Sequence, residues 1–549
     1  MRPARTLLQA AHRATRAPGA RTVLGRSPAL ARGYAAPASL ESTSSSSAAD
    51  AADAAGIEVS PKPPQFGQPL ALTHPHLVRQ RELTPGITAE EYEDRRRRLM
   101  DSLPAGSVVV CMGGTVRLIT QQIFYKFRQA TDFFYLTGFE EPDATAVLVS
   151  RPSTPRGYTY TLFVPPRDRH ELLWSGERTG VDGATEIFGA DEAYSHAELS
   201  SMLPSYLSGA AHVYASLPPS PSPSASSQPF TPPPPRRRSS LLKLFSPVES
   251  KNADPNPFVR GDPPHLMLAA ALASEHAKPL ERAVQQLRVR KSPAEIKLMK
   301  RAADLSAAAH ASVMRFARPG GTEAQLAAHF EYQCALGGSE RPAYVPVVAS
   351  GANSLVIHYT RNDCALGADE MVLIDAGCER HMYASDITRT FPVSGKFTDP
   401  QRDLYQAVLN VQKECVKRCT VEDSVNLNEL HRASCTMLGE ELRNIGFRLT
   451  AGDIERKLYP HFLSHHVGSD LHDCPQANRS GALVTGNVVT IEPGIYVPFD
   501  ASFPKAFHGL GVRIEDEVAL TPDGPYVLSA NAPKEVVDVE GACQGALEQ

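Results

Sequence analysis

Four apolar segments of this chain each carry a carboxylate where a buried strand calls for an uncharged side chain. Asp375 lies in MVLIDAG, Asp386 in SDITRTF, Glu492 in VVTIEPG and Glu515 in VRIEDEV, flanked by Val, Ile, Leu or Thr. An isolated carboxylate in such surroundings is costly and normally takes up a proton. One such acid can be satisfied by hydrogen bonds at a bulge, but four in one region are most simply tolerated when cations neutralise them. The sequence therefore predicts a buried metal site built on strands.

The stretch HFLSHHVGSDLHD, residues 461–473, lies between the second and third of these segments and contains four histidines. Alone, it suggests several imidazoles on one ion. Four carboxylates with a single imidazole form instead an oxygen-dominated ligand set that suits manganese, cobalt or iron, and also zinc. Their charge exceeds that of one divalent ion, which favours two ions sharing a hydroxide nucleophile, and hence hydrolysis. Because HExxH is absent, the simple mononuclear metalloprotease helix is excluded.

The ordered segments IDAG, SDITRTF, HxxxH…LHD, TIEPG and RIEDE closely resemble the pita-bread metallopeptidases, which include methionine aminopeptidase, aminopeptidase P and prolidase. The resemblance covers residues 279–536 and implies five protein ligands to two divalent ions, with manganese expected and cobalt, iron or zinc as alternatives. By this match the metal ligands are Asp375, Asp386, His465, Glu492 and Glu515. Asp386 and Glu515 would bridge the two ions, and Glu492 is also the expected general base.

The same resemblance implies roles for other residues. His358, in VIHYTRN, matches the family histidine that contacts substrate. His461 and His472 match residues that line the pocket and stabilise or protonate the tetrahedral intermediate. Arg513 matches an arginine that supports the metal-binding acids. His466 has no counterpart of this kind, and we expect it to serve packing or the surface.

The N-terminal half distinguishes among the members of this family. FRQATDFFYLTGFEEPDATAVLV resembles the creatinase-type N-terminal domain of aminopeptidase P and prolidase, which methionine aminopeptidase lacks. THPHL and PGIT, together with the 22 residues between Glu492 and Glu515, resemble aminopeptidase P more than prolidase. We therefore expect an α+β fold, with a C-terminal pita-bread catalytic domain over residues 279–549. A smaller α/β creatinase-type domain over residues 66–278 would precede it.

Local patterns predict individual elements of these domains. SVVVCM, TDFFYLTGF, ATAVLVS and YTYTLFVP are typical of strands. ITAEEYEDRRRRLMDSL predicts a helix capped at Thr88, with the run Arg95–Arg98 on a solvated face. KSPAEIKLMKRAADLSAAAHASVMRFARPGG predicts a longer helix that is capped at Ser292 and ends at Pro319.

The first forty residues carry seven arginines and no acid, which is typical of a mitochondrial presequence, with a disordered basic tail as the alternative. We assign residues 1–34 to this presequence, and its removal would shift the formal net charge from −4 to −11. Residues 35–65 are rich in Ala, Ser and Pro and are predicted to be a disordered lead-in. The stretch 217–262, rich in Pro and Ser, is predicted to be a disordered insertion in the N-terminal domain.

Composition argues against several other classes of protein. The mild net charge is not that of a dedicated nucleic-acid binder, and no apolar run of about 18 residues suggests a membrane span. Nine scattered cysteines without a CxxC pair indicate reduced thiols in an intracellular compartment. The resemblance adds the expectation of a homo-oligomer, since members are often dimers or tetramers, and the presequence that of the mitochondrial matrix.

The expected activity is removal of one N-terminal residue from peptides or imported mitochondrial proteins. With its presequence, the chain resembles the mitochondrial type 3 group of aminopeptidase P, which acts on Xaa-Pro or on a Tyr, Leu or Phe left by presequence cleavage. The chain itself carries RGYAA, so we expect a first cut after Gly33 and then removal of Tyr34. Two alternatives stay open: a prolidase that hydrolyses only Xaa-Pro dipeptides, and a non-catalytic pita-bread binding module.

Overall fold

The structure is a computed structural model that describes residue 62, residues 65–217 and residues 263–546. The predicted presequence, the lead-in apart from residues 62 and 65, and the insertion after residue 217 lie outside the described residues. No helix in the described ranges is long and apolar enough to cross a membrane.

The N-terminal part, residues 65–217 and 263–288, is built on a mixed six-stranded sheet. Its strands are β1 (Glu82–Thr84), β2 (Ile87–Thr88), β3 (Ser107–Met112), β4 (Leu118–Thr120), β5 (Ile123–Phe124), β6 (Thr145–Ser150), β7 (Tyr158–Val164), β8 (Glu192–Ser195), β9 (His212–Ser216) and β10 (Lys278–Pro279). Its helices are α1 (Ala89–Ser102), α2 (Thr131–Thr137), α3 (Arg169–Ser175), α4 (Gly180–Glu186), α5 (Leu199–Ser208), α6 (Pro263–Ala273) and α7 (Glu281–Arg288). The sheet order is β10-β9-β3-β6-β7-β8, with β3 parallel to β9 and antiparallel to β6.

The central strand β3 is buried on both faces, which explains its unbroken apolar sequence. Val109 packs into a core cluster with Leu99 of α1, whereas Val108 and Val110 pack into a second cluster with Leu203 of α5. Successive side chains of a strand point to opposite faces, so one strand serves both clusters.

Three of the four predicted strands in this part are confirmed as β3, β6 and β7. The prediction for TDFFYLTGF is wrong, because these residues form α2 and the turn that follows it. All four residues from Phe133 to Leu136 are buried. Their apolar run therefore results from a short buried helix and is no evidence for a strand. Gly138 ends the helix with φ of 66°, in the left-handed region that glycine adopts without strain.

Helix α1 begins after Thr88 as predicted, but the prediction of a solvated arginine run is wrong for its first two residues. Arg95 and Arg96 are buried. Their guanidinium groups lie 4.4 Å and 4.2 Å from the ring centroids of Tyr135 and Tyr160, respectively. Arg95 also forms an ion pair at 3.4 Å with Glu295 of the C-terminal part.

The C-terminal part, residues 293–546, combines five α-helices with small antiparallel sheets. The helices are α8 (Pro293–Phe316), α9 (Glu323–Leu336), α10 (Asp399–Lys417), α11 (Leu427–Asn444) and α12 (Val536–Cys543). The strands are β11 (Arg341–Pro342), β12 (Val347–Ser350), β13 (Met371–Asp375), β14 (Cys378–Arg380), β15 (Tyr383–Ala384), β16 (Thr388–Pro392), β17 (Val488–Ile491), β18 (Gly494–Tyr496), β19 (Gly511–Arg513), β20 (Asp516–Thr521) and β21 (Gly524–Val527). The sheets are β11-β14-β15, β12-β13-β16, β17-β20-β21 and the pair β18-β19.

Helices and strands of the C-terminal part share one large core. Val313 of α8, Leu404 of α10 and Leu438 of α11 belong to the same cluster as Ile374 of β13 and Ile491 of β17. The predicted cap of α8 at Ser292 is present, with a capping box, and the helix ends three residues before Pro319. This mixture of helices and antiparallel sheets confirms the predicted α+β class.

The two parts of the chain are also joined by a common core. Leu99 and Phe139 of the N-terminal part share a cluster with Leu298, Tyr383 and Val467 of the C-terminal part. All nine cysteines lie in the described ranges and are free thiols. The predicted domain boundaries stay predictions.

Candidate active site

The four predicted acids lie where strands end. Asp375 is the last residue of β13, and Asp386 lies two residues before β16. Glu492 follows β17, and Glu515 lies between β19 and β20. Strand β13 pairs with β16, and β17 pairs with β20. The amide N–H of Glu515 donates to the carbonyl of Thr388 at 3.1 Å, so the ends of the two sheets meet at one place.

His465 lies among these carboxylates. Its Nε2 is 3.3 Å from Oδ2 of Asp386 and 3.6 Å from Oε1 of Glu492. Single ligand atoms of Asp386, His465 and Glu515 lie within 4.8 Å of one another, a spacing that one cation can span. The structure therefore brings the predicted ligand residues together, although their assignment as ligands stays a prediction.

The protonation of the cluster follows from burial and repulsion. Burial, with the charges of Asp386 and Asp375, raises the pKa of Glu492 to about 8. Burial and the three other acids raise the pKa of Glu515 well above its usual range. Burial opposes a charge on His465, but Asp386 and Glu492 raise its pKa to about 9. Asp386 and Glu515 are buried, and Asp375 and Glu492 are half-buried. Four such carboxylates and one imidazole fit divalent ions of manganese, cobalt, iron or zinc, which would relieve this repulsion.

Arg513 links the acids to His461 through a chain of hydrogen bonds. Its Nη2 donates to Oδ2 of Asp375 at 2.6 Å, and its Nη1 donates to the hydroxyl of Tyr496 at 2.6 Å. Nδ1–H of His461 must donate to the carbonyl of Phe462 at 2.9 Å, so its Nε2 accepts from the Tyr496 hydroxyl at 2.9 Å. Burial and the charge of Arg513 lower the pKa of His461 to about 3, so its ring is neutral.

The other predicted histidines differ in exposure. His472 is exposed, and its ring centroid lies 4.4 Å from that of His465. Partial burial of the ring and the charge of His465 lower its pKa. His358 is exposed and lies within electrostatic reach of both His461 and His472. His466 is buried, which fits packing, one of the two roles expected for it.

Three hydroxyl groups that contact the site were missed from the sequence. The Tyr344 hydroxyl donates to Oδ1 of Asp386 at 2.7 Å, and the Thr388 hydroxyl donates to Oε2 of Glu515 at 2.6 Å. Tyr496 is the third. Thr388 lies inside SDITRTF, and Tyr496 lies two residues after VVTIEPG, so both are close in sequence to a predicted ligand. Tyr344 lies 31 positions before Asp375, so no local signal indicates its role.

Binding of manganese to the metal-free protein is expected to strengthen as the pH rises from about 6 to about 9. The raised pKa values of Glu492, Glu515 and His465 keep protons on these groups near neutral pH, and each bound ion must displace them. Isothermal titration calorimetry in buffers of different ionisation enthalpy measures both the affinity and the protons released. Equal affinity across this range, without proton release, would contradict the assigned ligands.

Both parts of the chain match models of known protein families. Residues 297–522 match the model of metallopeptidase family M24, and residues 92–214 match that of the aminopeptidase P N-terminal domain. Intermediate cleaving peptidase 55 from Saccharomyces cerevisiae is 38% identical over 485 residues, which span 88% of this chain and 90% of that protein. Xaa-Pro aminopeptidase 3 from Homo sapiens is 38% identical over 496 residues, which span 88% of this chain and 91% of that protein.

Solved structures of aminopeptidases are similar in fold to this chain. The crystal structure of Icp55 from Saccharomyces cerevisiae with its N-terminal 58 residues deleted has a TM-score of 0.72 and 36% identity, covering 85% of this chain and 100% of that chain. Zinc-substituted E. coli aminopeptidase P in complex with product has a TM-score of 0.70 and 30% identity, covering 84% and 100%. The matches confirm the expected pita-bread fold after an aminopeptidase P-type N-terminal domain, and with it the need for divalent metal ions. The chain therefore belongs to metallopeptidase family M24 and is a metal-dependent aminopeptidase.

Proposed function

We propose that this aminopeptidase removes a single N-terminal residue from imported mitochondrial proteins and acts in the mitochondrial matrix. The observation that carries the proposal is the buried cluster of carboxylates around His465. Support for the substrate class comes from the names of relatives, an intermediate cleaving peptidase among them, and one from Arabidopsis thaliana is called mitochondrial. The arginine-rich, acid-free N-terminus supports the same compartment.

We assign the residues of the cluster as ligands of two divalent ions, with manganese as the native metal. Asp386 and Glu515 would help to hold both ions, a role that the family resemblance implies. Single ligand atoms of these two acids and of His465 lie within 4.8 Å of one another, a spacing that fits one ion. Asp375 and Glu492 would complete the two sites. When bound, the ions would polarise the carbonyl of the scissile bond and lower the pKa of the attacking water.

Glu492 is suited to move the proton of the reaction. Its carboxylate lies among the proposed ligands, with Oε1 at 3.6 Å from Nε2 of His465. A carboxylate in this place can take a proton from the attacking water and return it to the leaving amine. Its Oε2 lies 3.8 Å from Nδ1 of His461, beside the hydrogen-bonded chain that Arg513 begins. Arg513 and Tyr496 would therefore hold the base and His461 in a fixed relation.

The histidines would act on the substrate in different ways. His461 is neutral and has both ring nitrogens engaged, so we assign it to shaping the pocket and holding Tyr496. His358 and His472 have more freedom to contact the peptide, because neither shows a comparable pair of side-chain bonds among the described residues.

Three peptides separate the proposed function from its alternatives. The manganese-loaded enzyme is expected to remove Tyr from Tyr-Ala-Ala, which matches residues 34–36 of the chain, and Xaa from Xaa-Pro-Ala. Both rates should exceed hydrolysis of an Xaa-Pro dipeptide by at least about tenfold, measured by liquid chromatography of the products. Cleavage of the dipeptide alone would establish a prolidase. Failure on all three peptides by a folded, metal-loaded protein would favour a binding module.

N-terminal peptide profiling of mitochondria extends this test to natural substrates. Without the enzyme, a set of mature proteins should keep one additional N-terminal residue, and restoring the enzyme should remove it. An unchanged set of N-termini would contradict the proposed substrate class while leaving the peptidase activity itself intact.

A further inference from the structure

A single buried carboxylate holds the loop between β12 and β13. Glu323, the first residue of α9, is fully buried. Its Oε1 accepts hydrogen bonds from the amide N–H and the hydroxyl of Ser350 at 2.8 Å each, and from the side-chain amide of Asn353 at 2.9 Å. Its Oε2 accepts from the hydroxyl of Tyr359 and from the amide N–H of Cys364, both at 2.9 Å. Five donors from one loop therefore converge on one side chain.

The loop held in this way carries His358 at its exposed middle. His358 and Val356 are exposed there, whereas their neighbours Ile357 and Tyr359 pack against the apolar cluster that contains Tyr496. A second polar anchor lies at Asn362, whose side chain accepts from the amide N–H of Val348 and donates to the carbonyl of Pro346, both at 2.9 Å. The exposed part of a loop takes its position from anchors on either side of it. The five bonds to the carboxylate restrain the loop both before His358, at Ser350 and Asn353, and after it, at Tyr359 and Cys364.

The same residues could be interpreted as a second cation site, but the hydrogen bonds argue against it. Ligand atoms of Glu323, Asp363 and Cys364 lie within 4.8 Å of one another. A cation there would have to displace donors that already occupy both oxygens of Glu323, and Asp363 is exposed and paired with Arg361 at 2.6 Å. Burial acts to raise the pKa of Glu323, yet the bonds from Ser350 and Cys364 hold it below its usual range. Glu323 is thus a charged acceptor for protein donors, which makes each bond stronger.

We propose that Glu323 is a positioning residue of the peptidase: it fixes the loop 350–364 so that His358 faces the substrate beside His461 and His472. The inference rests on the proposed function, in which His358 contacts the peptide. Its site at the N-terminus of α9 also favours a negative charge, because the helix dipole is positive there. Glu323 itself touches neither substrate nor metal ligands in this assignment.

Glu323→Gln tests the proposal with little change in volume. The new NH₂ group cannot accept the bonds that one carboxylate oxygen accepted, so part of the loop loses its anchor. We expect kcat/KM for Tyr-Ala-Ala to fall on the order of 10- to 100-fold, with unchanged manganese content. Glu331→Gln, an exposed carboxylate on the same helix, should behave like the unaltered enzyme. Wild-type activity in Glu323→Gln would overturn the proposal.

A double-mutant cycle with His358→Ala distinguishes positioning from general structural damage. If Glu323 acts through His358, Glu323→Gln should lower the activity of the His358→Ala enzyme by less than about threefold. The ratio of the change in kcat to the change in KM should also be the same for Glu323→Gln and His358→Ala. If the losses of the two single variants multiply in the double variant, or if these ratios differ, the proposal is overturned. The proposed function fails separately, if Asp386→Asn keeps full metal-dependent turnover.

A milder variant keeps the test valid if Glu323→Gln does not fold. Tyr359→Phe removes one of the five donors and leaves the carboxylate in place. Tyr359→Phe should lower kcat/KM less than Glu323→Gln does, with the same ratio of kcat change to KM change as His358→Ala. Adding Tyr359→Phe to His358→Ala should cause no further loss of activity. Unchanged activity of Tyr359→Phe in that case would overturn the proposal.

Discussion

Replacing His465 with alanine is expected to lower kcat/KM by at least about 1,000-fold while the fold remains. His465 is the single imidazole of the proposed ligand set and approaches Asp386 at 3.3 Å and Glu492 at 3.6 Å. A bound metal ion contributes several kcal/mol of transition-state stabilisation, and about 4 kcal/mol corresponds to roughly 1,000-fold in rate. Losing one ligand should therefore remove most of the catalysis.

The fold should tolerate this change, because the His465 side chain is 20% exposed and its main chain keeps the hydrogen bond with Thr490. The measurements are steady-state kinetics with added manganese, metal content by mass spectrometry, and circular dichroism. His276→Ala, which removes an exposed histidine between α6 and β10, serves as the control and should leave all three unchanged. Unaltered turnover in His465→Ala would reject the ligand assignment as a whole.

Replacing Arg513 with methionine is expected to lower the free energy of unfolding of the metal-free protein by about 3–5 kcal/mol. The Arg513 side chain is only 2% exposed, and its guanidinium donates to Asp375, Tyr496 and Thr388. Methionine fills much of the same volume without charge. Asp375 would then remain in the acidic cluster without its cationic partner, and such an uncompensated buried charge is the main source of the loss.

Chemical denaturation of the metal-free and manganese-saturated proteins measures this effect. Manganese should restore part of the lost stability, because ions that bind only the native state stabilise it. Arg361→Met is the matched control: its side chain is 79% exposed, so its ion pair with Asp363 should be worth less than about 1 kcal/mol. Equal stability of Arg513→Met and the unaltered protein would contradict the supporting role of Arg513.

The acids could be predicted from sequence because each one contradicts its surroundings. Local structure does not explain a carboxylate between Val, Ile or Leu residues, so Asp375 and Glu492 indicate a functional site. The caps of α1 and α8 were predictable for a similar reason, since Thr88 and Ser292 act on amides only three residues away. Both kinds of signal are contained within a few neighbouring residues.

Contacts between distant residues could not be predicted in this way. Tyr344 reaches Asp386 across 42 positions, and nothing near Tyr344 in the sequence indicates that approach. Arg95 and Arg96 were expected in solvent because a charged run is usually exposed, yet tyrosines from other elements cover them. The sequence of α2 wrongly predicts a strand, because a helix that is buried on all sides lacks the 3.6-residue spacing of apolar residues that distinguishes a helix from a strand.

The long separation of the site residues along the chain has a consequence for when the enzyme becomes active. Arg513 meets Asp375 across 138 positions, and Thr388 meets Glu515 across 127. Bringing such segments together requires closure of long loops, which is slow compared with formation of local helices. A partly synthesised or unfolded chain therefore holds only scattered acids and has no centre that could cut a peptide. Catalytic activity therefore begins only when folding is complete, and the chain does not cleave other proteins before then.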